Sequence, residues 1–126
     1  MKMILAIAAG GAIGAVARYI AAAQIGHWLG TGFPWGILLV NIVGSFLMGV
    51  LVEAMTIAWS PPPELRALLT VGVLGAFTTF STFALDVVSV LERGQVMLAA
   101  IYIGASVALA VLALFGGMVL MRAVLA

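Results

Sequence analysis

The sequence predicts an all-α membrane protein of four transmembrane helices, the third of them broken. Three observations carry that prediction. Apolar residues make up 66% of the chain and charged residues only 7%, against roughly 25% charged in a soluble domain, and the mean hydropathy is +1.35. The few charges leave long uncharged runs, residues 67–85 and 94–121 among them, of about the length that crosses a bilayer. The first of these runs contains Gly75 to Phe83, Gly-Ala-Phe-Thr-Thr-Phe-Ser-Thr-Phe, whose glycine and threonine are weak helix formers.

With 126 residues the chain has room for one domain and for no separate soluble one. It has no cysteine, which excludes disulfides and thiolate metal sites. A net charge of +1 without a basic patch excludes nucleic acid as a partner. Lys2 followed by an apolar run resembles a secretion signal, but three further apolar spans make it a first membrane helix.

The first span is expected over residues 3–23. Gly10, Gly11 and Gly14, flanked by alanines, offer a small face on which helices approach closely in lipid. The glycines lack the strand context of a dinucleotide-binding loop. Arg18 is the one charge within the span, about four turns in. It either snorkels to the head groups or is a cation that pairs with a helix end or draws anions to a vestibule. Residues 24–33 are expected as a loop, with His27 solvated and Trp28 and Trp35 at the interface. One histidine without cysteine or carboxylate neighbours is no metal site.

The second span is expected over residues 34–58, with Pro34 in its first turn. Asn41 is its one strongly polar group at depth, and such a group is costly without a partner. Hydrogen-bonded glue between helices and pore lining are both open for it. Gly44, Ser45 and Gly49 make a second small face, and Glu53 falls near the far end. Trp59-Ser60-Pro61-Pro62-Pro63 is a short rigid loop in which Ser60 is placed to cap, with Glu64 in the following first turn.

The third span is expected over residues 64–91, closed by Asp86, Glu92, Arg93 and a helix-stopping Gly94. Its middle holds four hydroxyls, Thr78, Thr79, Ser81 and Thr82, threaded with Phe77, Phe80 and Phe83. Phenylalanines three apart fall on one side of a helix. Broken backbone at membrane depth is tolerated only where it is buried in protein or lines a wet cavity, so this stretch is the expected functional centre. The fourth span is expected over residues 95–124, with Tyr102 and Ser106 one turn apart on one face.

Four spans put both termini and the second loop on one side, with Lys2, Arg66 and Arg122, and leave Arg93 and Arg18 for the other. So slight a bias toward one orientation allows insertion both ways, and four short spans enclose little of a pathway alone. Both points predict an oligomer.

The chain resembles the Fluc/CrcB fluoride channels over its whole length. The carrying motifs are Gly10-Gly11-Ala12-Ile13-Gly14-Ala15 leading to Arg18-Tyr19, Pro34-Trp35-Gly36 leading to Val40-Asn41, and Gly75 with Thr78-Thr79-Phe80-Ser81-Thr82-Phe83. The resemblance implies an antiparallel homodimer in a bacterial inner membrane, passively exporting fluoride through two pores, with a central structural Na⁺. It implies that Phe80 and Phe83 present ring edges to fluoride, that Asn41 donates its amide, and that Tyr102 and Ser106 line the same track. Thr79, Ser81 and Thr82 would add hydroxyls, and the carbonyls of Gly75 and Thr78 from both subunits would hold Na⁺. One position departs from the family: Ile37 stands where a threonine usually follows Pro-Trp-Gly, which removes a polar contact from that end of the track.

The physical chemistry agrees. A strongly hydrated anion needs several donors, which Asn41, Tyr102 and the hydroxyls supply, and ring edges carry partial positive charge without trapping it. A rival reading, a small multidrug-type four-helix transporter, requires an intramembrane acid for coupling, and the first span has none. A structural subunit without transport is the other rival. An enzyme is excluded by the lack of any Ser-His or His-Glu pairing at one depth.

Overall fold

A helix pairs its backbone amides and carbonyls within its own segment, which a bilayer core without water demands, and the four apolar runs accordingly form helices. The computed structural model describes residues 1–126. Its elements are α1 (Lys2–Leu29), α2 (Trp35–Ile57), a third span in pieces, and α6 (Val96–Leu125). The third span comprises α3 (Pro63–Ala67), a π-helical segment (Leu68–Leu74), α4 (Gly75–Phe77) and α5 (Ser81–Glu92). There are no strands, and all four spans are long and apolar enough to cross a membrane.

The boundaries differ from expectation in three places. Helix α1 continues through Gln24, His27 and Trp28 to Leu29, where a loop was expected, and ends on Gly30 at φ 87°. That left-handed conformation suits glycine. Pro34 precedes α2 as its cap residue rather than lying in its first turn. Ser60 does not cap the third span: α3 starts after Pro62 without a side-chain cap, although Glu64 does sit in its first turn. Gly94, at φ 78°, ends the span where expected.

Two close seams hold the bundle. In the first, α2 and α6 pair along most of their length. Gly49 lies directly on the Leu114 backbone, and Gly117 on the backbone of Phe46 and Val50. At one end of this seam the Arg122 guanidinium bonds Glu53 at 3.0 Å, and Glu53 is buried. In the second, α1 packs on the π-helical segment. Gly10 faces the Leu68 carbonyl, Gly14 the Val73 carbonyl, and Gly72 the Gly10 backbone. Of the small faces read from the sequence, Gly10, Gly14, Gly44 and Gly49 are therefore helix contacts, as small residues in lipid allow, whereas a side chain at Gly11 would meet nothing.

Leu38, Phe83 and Tyr102 form a cluster of buried side chains, with Phe33, Ile37 and Val87 against it. Only 18 of 126 residues are buried, so most of the apolar surface faces outward and requires lipid or protein to cover it.

Candidate ion pathway

The third span breaks at Thr78–Phe80, where the backbone at Thr78 turns extended. A break exposes amides and carbonyls that a helix would have paired, and Asn41 meets part of that need. Its Oδ1 accepts the Thr79 amide at 2.8 Å, and its Nδ2 donates to the Thr79 carbonyl at 3.0 Å. Both polar ends of one side chain thus clamp one residue of the break. Thr79 in turn steadies the start of α5: its Oγ1 accepts the Thr82 amide at 3.3 Å and lies within 3.5 Å of Ser81 Oγ and 3.3 Å of Thr82 Oγ1. The Thr78 hydroxyl returns to the Leu74 carbonyl at 3.0 Å.

These bonds have a consequence for two carbonyls. A continuous helix would send the Thr79 amide to Gly75 and the Thr82 amide to Thr78. The first goes to Asn41 and the second to Thr79 Oγ1. Gly75 and Thr78 are therefore among the carbonyls of the break that lose their helical donors. No cluster of three His, Cys, Asp or Glu residues exists, so a cation bound here would be held by neutral oxygens of this kind, which suit a hard ion.

Beside the break lies an open groove of about 420 Å³. Asn41, Gly75, Thr78, Thr79, Phe80, Phe83 and Ser106 all line it, together with Ser45 and the α6 residues Val107, Ala110 and Val111. Phe83 is buried and Phe80 is 78% exposed, with ring centroids 5.5 Å apart. The Ser106 hydroxyl is buried without a hydrogen-bond partner. An unpaired donor at a groove wall is available to a ligand. Phe77 belongs to the segment before the break and packs over Gly44. Interruption of the helix thus separates it from the other two rings, despite the even spacing.

The model of the family described as CrcB-like protein, Camphor Resistance (CrcB), matches residues 5–118. The chain belongs to the CrcB family. Its CrcB relatives include proteins named fluoride-specific ion channel FluC. The one from Rhodospirillum centenum is 56% identical over 126 residues, all of both chains. The one from Nitrobacter winogradskyi is 47% identical over 121 residues, 96% of each chain, and the one from Rhizobium meliloti is 49% identical over 127 residues, 98% of each.

Three of the residues singled out from the CrcB resemblance sit elsewhere. Tyr102 is completely buried, between Phe33 and Phe83 at centroid distances of 5.5 and 5.1 Å. Its hydroxyl donates to Asp86 Oδ2 at 3.0 Å rather than pointing into the groove beside Ser106. Ser81 is exposed at the start of α5. Thr82 faces a second groove, of about 400 Å³, shared with Arg18, Tyr19 and Ile37. Arg18 has no acidic partner there, since the single salt bridge is Arg122–Glu53. The apolar Ile37 side chain stands between these residues and the core cluster.

Asp86, which by sequence closes the third span, is a candidate functional residue that residue type alone does not place. It lines a third depression, of about 430 Å³, with Ser89, Arg93 and the loop after α1. The available signal was an acid inside a membrane span, which by itself points to a function or to a specific partner; the partner is Tyr102.

Proposed function

We propose that this CrcB protein is a fluoride-selective channel that lets fluoride leave the cell passively, working as an antiparallel homodimer with two pores. The observation that carries the reading is the groove at the helix break, where Asn41, Phe80, Phe83 and the unpartnered Ser106 hydroxyl converge. Support for the ion comes from the relatives named fluoride-specific channels.

Fluoride gives up its hydration only to a site with several donors. Asn41 spends one Nδ2 hydrogen on Thr79, which leaves the second for an anion. Ser106 offers an O–H, and the edges of Phe80 and Phe83 add weak positive charge. Each contact is modest, and several modest sites in a row let an ion both enter and leave. Arg18, unpaired beside Thr82, raises the local anion concentration at one mouth.

Sodium is the cofactor of this reading, and the Gly75 and Thr78 carbonyls of two copies would hold it. Bound there, it supplies a fixed positive charge between the pores. Asn41 and Thr79 serve the same site indirectly by keeping the amides of Thr79 and Thr82 away from those carbonyls. Antiparallel assembly is supported by the near balance of Lys and Arg at the two ends, which leaves orientation weakly set.

Efflux from liposomes containing the purified protein tests the proposal. A fluoride gradient should collapse quickly while a chloride gradient persists. Equal rates for the two anions, or no flux of either, would rule it out.

A further inference from the structure

We propose that Ser45 is an additional fluoride-binding station, carrying the ion from the groove at the break into an apolar groove farther along the α2–α6 seam. The proposal rests on the channel reading above.

Two depressions meet at Ser45. The upper one, at the break, and a lower one of about 230 Å³ share Ser45, Ala110 and Val111. The lower one is otherwise lined by Leu114 and Phe115, so Ser45 is its only polar side chain. An anion moving along this seam past Asn41 and Ser106 meets no other hydroxyl.

The direction of Ser45 is fixed by its neighbours. Gly44 packs on Thr78 and Phe77, and Gly49 lies on the Leu114 backbone. A side chain at either glycine would clash, so α2 cannot rotate, and Ser45 stays on the groove one turn beyond Asn41. Its hydroxyl is also free. Thr56, Thr70 and Thr78 each give theirs to a carbonyl one turn back, the usual resting place for a hydroxyl on a membrane helix. Ser45 makes no such bond and keeps its O–H for whatever occupies the groove.

Three variants in liposomes test the role: Ser45→Ala, Ser45→Thr and Ser45→Val, with fluoride efflux normalised to protein of the correct assembled size. Threonine and valine have nearly the same shape, and only threonine keeps the hydroxyl. A hydrogen bond to a charged group is strong enough that its loss should slow passage by roughly tenfold. Ser45→Ala and Ser45→Val should show that loss, and Ser45→Thr should run near the wild-type rate. Equal rates for Thr and Val, or wild-type flux in Ser45→Ala, would overturn the proposal. Ser45→Ala removes a single oxygen, so it decides the matter even if the β-branched variants fail to assemble. Failure of the wild type to move fluoride would instead remove the channel reading itself.

Discussion

Phe80 and Phe83 are three residues apart and occupy opposite environments. Phe83 belongs to the buried cluster with Leu38 and Tyr102, whereas Phe80 is 78% exposed in the single chain. Replacing either by isoleucine keeps bulk and removes the polarised ring edge. Phe83→Ile should cost up to about 1.5 kcal/mol of stability as a near volume-conserving core change, and Phe80→Ile should cost almost none within one chain. On the proposed channel reading, fluoride efflux per assembled complex should fall in both. Wild-type efflux in both variants, measured alongside thermal stability, would reduce the rings to packing. At this scale the sequence was partly legible. Asn41 stood out as the one strongly polar group deep in its span and Ser106 as a hydroxyl in an uncharged run, and both reach the groove. Tyr102 did not follow, because its spacing from Ser106 gives a shared face but says nothing of Asp86, sixteen residues away on another helix. The bidentate grip of Asn41 on Thr79 joins two readings that residue type alone had kept apart, glue and groove lining.

The four helices and the position of the break were legible for a physical reason. Uncharged runs have one stable form in lipid, and Gly75 with three threonines weakens it at one place. The π-helical segment before the break was not. Its wider turns depend on which carbonyl each amide meets, which residue type does not specify, and α1 lies close against two of those carbonyls. The Gly75 amide donates to the Thr70 carbonyl, and the Thr70 hydroxyl donates to the Arg66 carbonyl at 2.8 Å. On the other side, Gly10 and Gly14 press on the carbonyls of Leu68 and Val73. π-helical turns often occur at functional sites, and this one leads directly into the break. The adjacent pair Gly10-Gly11 tests the seat. A methyl group at Gly10 would run into the Leu68 carbonyl, while one at Gly11 meets nothing within 4 Å. Gly10→Ala should therefore destabilise by about 1–3 kcal/mol, and Gly11→Ala should gain up to about 1 kcal/mol from helix propensity. Thermal unfolding in detergent reads both. Equal shifts would mean that α1 is not what holds the π-helical segment.

For the molecule as a whole, orientation follows from charge. Lys2, Arg66 and Arg122 on one side barely outweigh Arg93 and Arg18 on the other, and Arg122 is already neutralised by Glu53. Tags at the C-terminus should accordingly be found on both sides of the membrane in one population of cells. Two or three lysines added near Met121 should force a single orientation and lower fluoride export; a wild-type population of one orientation would remove the antiparallel dimer. The scarcity of interior, 18 buried residues of 126, carries a further consequence. Lipid covers an apolar helix face as well as protein does, so the two copies of the proposed dimer would be held together by packing rather than by escape from water. Their association would then obey mass action in two dimensions, and activity would become a property of the protein-to-lipid ratio. Flux per chain should be constant in crowded vesicles and fall once dilution separates the copies. A flat response, in vesicles where cross-linking shows single chains, would mean that one copy conducts alone.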